Sequence, residues 1–187
     1  MDFKELIIKR RSIRDFLPHP VPMEIINEIL EETCLAPTAR NGQPCRFVII
    51  KDPDWIKRLS QENKESLLEE IRENPHSPLQ NYADILRDVN FNIFYNAPCL
   101  ILILAPEELS SAPYDAALTA AYLMFAAANR GLGTCWIGLG AHIRREETLS
   151  LLGIPSGFRI FAPLIIGYPR NIPPALDRHA PVICKVI

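Results

Sequence analysis

The sequence predicts an α+β fold in which a small sheet is buried between helices. Three features predict it. Four short runs rich in apolar and β-branched residues have the length and composition of strands. Segments of helical periodicity, amphipathic or alanine-rich, separate them. The 187 residues, 48% hydrophobic and 22% charged, suit one domain spanning 1–187 with ample material for a core.

Residues 2–10 (DFKELIIKR) read as a short helix with Phe3, Leu6 and Ile7 on one face. A turn containing Asp15 and two prolines follows. Pro22 then opens a second helix through Met23, Ile26, Ile29 and Leu30, ending before Pro37. Glu24 and Glu28 lie near its start, where the helix dipole favours them. The polar loop PTARNGQP (37–44) leads into a first strand, FVIIK (47–51). A third helix of interleaved charge covers 53–73, NPHSPLQN (74–81) breaks it, and a fourth helix is expected over 82–95. CLILILA (99–105) is apolar on both faces, which predicts the middle of the sheet. The clearest helix is 115–133 (DAALTAAYLMFAAANRGLG), alanine-rich, apolar almost all round and stopped at Gly131. So little polar face calls for cover on nearly all sides, part of which a second subunit could supply. TCWIGL (134–139) is a third strand, REETLSLLG (145–153) a short helix with a glycine stop, and FAPLIIGYP (161–169) a fourth strand. The tail, 170–187, is broken by prolines and ends in VICKVI, a stretch that would be sticky unless it paired with a sheet edge, its own or a partner's.

Charge and composition narrow the function. The formal charge is -2 with both signs mixed along the chain, so no nucleic-acid partner is expected, although a local basic pocket is compatible with it. The most apolar run, Ala97 to Ala105, is far short of the roughly 20 residues of a spanning helix, and the amino terminus has no signal-peptide pattern. A cytoplasmic location without membrane attachment follows as the expectation. Cys34, Cys45, Cys99, Cys135 and Cys184 form no C-x-x-C pair, and the histidines show no ligand spacing. The expectation is reduced thiols, most of them buried, with no metal.

Four segments carry candidate chemistry. RRSIR (10–14) places Arg10, Arg11, Arg14 and the Ser12 hydroxyl directly after a helix, and guanidinium forks suit phosphate oxygens. Taken alone it is equally a solvated basic turn. PTARNGQP offers the amides of Asn41 and Gln43 between fixed prolines, a combination suited to the edge of a planar heterocycle, or a turn shaped by its backbone alone. GLGTCWIG (131–138) follows a helix and does not match G-x-G-x-x-G, which disfavours a Rossmann site; no P-loop stretch is present. DRHAP (177–181) carries Arg178 on the tail, alone no more than a surface arginine.

Together and in this order, RRSIR, APTARNGQP, the alanine-rich helix into GLGTCWIG, LIIGYP and a final basic residue resemble the nitroreductase family of flavoproteins. The resemblance spans nearly the whole chain and is weakest over roughly 60–95. It implies a small central mixed or antiparallel sheet surrounded by helices, in an intertwined homodimer with FMN at the subunit interface. It implies FMN-dependent transfer of hydride from NADH or NADPH to a small electron-poor acceptor, such as a nitroaromatic or a quinone, with ping-pong kinetics. By position, Arg10 and Ser12 would hold the phosphate with Arg11 beside them, and Arg14 would lie near the pyrimidine end. Pro37, Thr38, Ala39, Asn41 and Gln43 would come from the other subunit to the ring, Trp136, Ile137 and Gly138 would line its opposite side, and Arg178 would return to the phosphate. No catalytic side chain is expected, since the flavin performs the chemistry. Cys45 stands where the family usually has tryptophan, which bears on the acceptor pocket. Two other readings stay open: a flavin-storing or flavin-fragmenting relative without reductase turnover, and a non-enzymatic dimeric interaction module without cofactor.

Overall fold

The computed structural model describes residues 2–187. Four strands, β1 (Arg46–Ile50), β2 (Cys99–Pro106), β3 (Gly133–Trp136) and β4 (Phe158–Gly167), form one sheet in the order β1-β2-β4-β3. All three pairings are antiparallel, which settles the mixed-or-antiparallel expectation. Six helices surround the sheet: α1 (Phe3–Lys9), α2 (Met23–Thr33), α3 (Pro53–Glu73), α4 (Ala83–Arg87), α5 (Ala112–Asn129) and α6 (Glu146–Leu151). The run CLILILA is central, and every residue from Cys99 to Ala105 is buried. Its alternation feeds two cores. Cys99, Ile101 and Ile103 pack with α2 and α5, whereas Leu100, Leu102 and Leu104 pack with α3 and α4. Each fully buried Leu or Ile contributes about 1.5–3 kcal/mol, so a strand with two covered faces is apolar throughout.

Local chemistry sets the helix ends. Asp52 caps α3, its carboxylate accepting from the N–H groups of Asp54 and Trp55, and Pro53 occupies the first turn. α5 closes on Gly131 at φ 74, where the Leu132 N–H reaches back to the Ala127 carbonyl at 3.0 Å. The chain therefore turns directly from α5 into β3. Ser12 forms a parallel bridge to Thr134, and the Ile13 N–H donates to the Thr134 carbonyl at 2.9 Å. Gly133 makes this approach feasible, because a Cβ there would sit 2.6 Å from Ile13 Cγ1. Gly133→Ala is expected to cost about 1–3 kcal/mol by overpacking and so lower the melting temperature. Ile13→Ala in the same chain should recover part of that loss, and two losses that simply add would show that this contact does not set the spacing.

Several expectations need correction. The helix expected over 82–95 is reduced to Ala83–Arg87, preceded by a 3-10 turn at Pro78–Tyr82. The buried Lys64 ammonium donates to the carbonyls of Asp88 and Phe91 at 2.6 and 3.1 Å, and the Ser60 hydroxyl accepts the Ile93 N–H at 2.9 Å. Those backbone groups are thereby diverted from helical partners. β4 begins at Phe158, three residues earlier than expected, and α5 begins at Ala112. β3 ends at Trp136, because Gly138–Ala141 coils into a 3-10 turn. The tail from Asn171 onward is exposed and forms no strand, so within the protomer VICKVI has no sheet edge. Of the cysteines only Cys99 and Cys135 are buried; Cys45 is half-buried, and Cys34 and Cys184 are exposed. No helix among the described residues is long and apolar enough to cross a membrane.

Candidate functional site

RRSIR leaves the end of α1 and runs beside β3. Arg10 and Arg11 are half-buried and line a cleft with Lys9, Gly131, Gly133 and Thr134. The Arg11 guanidinium donates to the Arg10 carbonyl at 2.6 Å. Arg14 lies over the Tyr95 ring, 5.8 Å from its centroid. Among the described residues no carboxylate comes within ion-pair distance of Arg10, Arg11 or Arg14. By contrast Arg72, Arg87, Arg130, Arg144, Arg145, Arg159 and Arg170 all meet one. The cleft itself gathers Lys9, Arg10 and Arg11, uncompensated cations that suit a phosphate, whereas Ser12 and Arg14 are not among the residues lining it. The field of the arginine turn reaches the sheet: burial pushes the Cys135 thiol up, and the cations of Arg14 and Arg10 oppose that shift.

The third segment is contiguous with the first. Beyond Thr134, Trp136 and Gly138 are exposed. Ile137 is turned into the core, its N–H donating to Pro163 and its carbonyl accepting from Gly140, both at 2.9 Å. A Cβ built on Gly138 would meet nothing within 4 Å, so protomer packing does not explain the glycine there.

The amide loop lies elsewhere. Ala39–Asn41 is a 3-10 turn in which Arg40 and Asn41 have φ 53, followed by Gln43 at φ 46. These are three of five left-handed non-glycine residues among those described, a costly conformation that its surroundings must hold. The Thr38 hydroxyl accepts the Gln43 N–H at 3.0 Å, and the Gln43 amide donates to Asn41 Oδ1 at 3.2 Å. Asp115 in the first turn of α5 accepts the Ala39 N–H at 2.8 Å. Pro37, Ala39, Asn41 and Gln43 are exposed, and Thr38 is half-buried.

The chain thus unites RRSIR with 131–138 but not with the loop. RRSIR docks beyond the last turn of α5 and the loop at its first, and a rise of 1.5 Å per residue from Asp115 to Asn129 separates them by about 20 Å. Arg178 stands exposed on the tail, with no hydrogen-bonded partner among the described residues. Two neighbours of the site were not found from the sequence. Tyr95 beneath Arg14 left no local signal. Asp115 did, since Ser111, Asp115 and Thr119 stand four residues apart in an otherwise apolar run.

Cys45 borders a pocket behind the loop with Cys34, Thr38, Gln43 and Thr119. Burial raises its thiol pKa, and the Thr119 hydroxyl, 3.4 Å from Sγ, offsets part of that rise. Cys99 is pushed up to about 12 by burial. Neither favours the thiolate that nucleophilic chemistry requires.

Comparison with known proteins gives this geometry its lineage. The profile of the Nitroreductase family matches residues 7–168. An Archaeoglobus fulgidus protein provisionally named NADH dehydrogenase/NAD(P)H nitroreductase is 28% identical over 173 residues, covering 89% of this chain and 85% of the relative. The iodotyrosine deiodinase of Thermotoga neapolitana is 28% identical over 186 residues, covering 96% of this chain and 95% of its own. Among solved structures, a nitroreductase with bound FMN from Bacteroides fragilis aligns with a TM-score of 0.80 at 21% identity, over 100% of this chain and 97% of that one. The last comparison establishes the fold. The profile runs through the arginine turn, the amide loop and the α5–β3 junction in a single match, and on that ground the chain belongs to the nitroreductase family.

Proposed function

We propose that the chain is an FMN-dependent oxidoreductase that draws hydride from NADH or NADPH and delivers it to a small electron-poor acceptor. The observation that carries this reading is the cleft of Arg10, Arg11 and Lys9 without a carboxylate, walled by Gly131, Gly133 and Thr134 at the start of the strand that leads on to the exposed Gly138. Such a donor set fits FMN, whose phosphate needs cations and whose planar ring needs close backbone approach. In this reading Arg10 and Ser12 hold the phosphate, with Arg11 adjacent, and Arg178 closes over it from the tail. Bound FMN supplies the hydride chemistry. Arg14, steadied by the Tyr95 ring 5.8 Å away, would supply a fixed positive charge to the bound flavin. Trp136 and Gly138 flank the ring, and Ile137 supports them from the core. Because the amide loop is held about 20 Å from the cleft along α5, residues 37–43 of a second chain complete the site, and the active unit is a homodimer.

The test is the visible spectrum of the purified protein, followed by anaerobic addition of NADH and then NADPH. Flavin absorbance that bleaches with either nicotinamide and returns on adding acceptor is the expected result. Flavin that binds but does not bleach points to a storage role, and a protein colourless even after FMN addition refutes the cofactor assignment. The acceptor panel includes nitroaromatics, quinones and halogenated phenols, the last because a relative over 96% of the chain bears the name iodotyrosine deiodinase. Cys45→Ala is expected to retain nicotinamide-dependent turnover, since burial keeps that thiol protonated. Loss of turnover with flavin still bound would assign the thiol a chemical role.

A further inference from the structure

α5 is apolar on nearly every face, yet one polar line runs along it at four-residue spacing: Ser111 at its N-cap, then Asp115 and Thr119. Asp115 is only 3% exposed, and both carboxylate oxygens are engaged. Oδ1 accepts the Ala39 N–H at 2.8 Å, and Oδ2 accepts the Ser111 hydroxyl at 2.9 Å. One turn on, the Thr119 hydroxyl donates to the Asp115 carbonyl at 2.8 Å and lies 3.4 Å from Cys45 Sγ, at the far end of the loop. A buried carboxylate is expensive, and an alanine-rich helix could pack without one. Its bond beyond α5 and the N-cap goes to the segment where three non-glycine residues adopt left-handed backbone.

We infer that Asp115 is a positioning residue: by fixing the Ala39 N–H it holds the 38–43 turn in the strained conformation that turns Asn41 and Gln43 outward. The inference rests on the reading of that loop as the wall against the flavin ring, and adds the residue that sets its shape. Asp115 does not touch the cofactor in this account. It acts through the loop, and the loop contacts the ring rather than the phosphate. The consequence is specific: loss of Asp115 weakens every flavin that has the ring, whereas loss of Arg10 weakens only those that carry the phosphate.

The experiment measures FMN and riboflavin affinity by flavin fluorescence in the parent, Asp115→Ala, Asp115→Asn and Arg10→Ala proteins. Asp115→Ala is expected to weaken both ligands by the same factor, about tenfold or more, the usual worth of a hydrogen bond to a charged acceptor. Asp115→Asn keeps an oxygen for the Ala39 N–H and should restore both affinities to within about threefold of the parent. Arg10→Ala should weaken FMN alone. Where Asp115→Ala does not fold, Ala39→Pro removes the same N–H from the loop side and should give the same equal loss. A folded Asp115→Ala protein with parental affinities and merely a lower melting temperature overturns the inference, as does a loss confined to FMN. A parent that binds neither flavin overturns instead the cofactor reading beneath it.

Discussion

Arg10→Ala is expected to bind FMN about 1.5–3 kcal/mol more weakly than the parent, roughly ten- to more than a hundredfold in Kd. Arg10 is half-buried at the mouth of a cleft it shares with Lys9 and Arg11, and no carboxylate there competes for its guanidinium among the described residues. A phosphate arriving in that cleft meets donors whose charge is not already neutralised, and partial burial limits solvent screening. The substitution should leave the fold intact, since the Arg10 N–H that caps α1 on the Leu6 carbonyl is backbone and survives it. Three controls make the result specific. Riboflavin binding should be unchanged; Arg10→Lys should recover only part of the loss, because an ammonium keeps the charge but not the fork; and added salt should weaken the parent more than Arg10→Ala. FMN affinities that are equal in Arg10→Ala and parent would remove the phosphate clamp from the account.

How far the sequence alone reached depended on whether the deciding contacts were local. β2 was legible because a strand covered on both faces must be apolar at every position, and CLILILA is. α3 was placed at Pro53–Glu73 from its own ends, since Asp52 and Pro53 start it and Asn74 with Pro75 stop it. The α5–β3 junction was signalled by Gly131, whose positive φ closes the helix. Residues 82–95 failed for the opposite reason. Their helical propensity yields to Lys64 and Ser60, whose side chains reach over from α3 and take up backbone groups at 88, 91 and 93. Nothing within 82–95 announces that competition.

The candidate site divides in the same way. The arginine turn and the α5–β3 junction were legible as motifs, and the Ser12–Thr134 bridge joins them. Ile137 was expected to line the ring, but its side chain faces the core, because the alternation of β3 continues one residue past its last sheet pair. Asp115 passed for the start of an apolar helix. Its partners at 39 and 111 lie on either side of a long sequence gap, and only the fold brings the first of them near.

Leu118→Arg is expected to convert the protein to a monomer and, in the same step, to strip it of flavin. Tyr114, Leu118 and Tyr122 stand four residues apart on α5 and remain exposed at 72%, 43% and 39% in the isolated chain. Phe3 of α1, Leu35 beyond α2, Tyr122 and Phe125 line one adjoining groove, with the Phe3 and Phe125 rings edge to face at 6.4 Å. Apolar side chains gathered this way on several elements are the mark of a surface meant to be covered. A guanidinium at Leu118 would put a charge between Tyr114 and Tyr122 on that apolar face, and burying an unpaired charge costs several kcal/mol. In the monomer the same arginine faces water, so far-ultraviolet circular dichroism should be unchanged. Flavin should leave because the loop docked on Asp115 and the arginine cleft beyond Asn129 are about 20 Å apart within one chain, and in the proposed dimer it is the second chain that brings loop and cleft together. Light scattering and visible absorbance on the same sample read both consequences. A parent of monomeric mass would refute the dimer, and a monomeric Leu118→Arg protein retaining stoichiometric FMN would place the whole site within one chain.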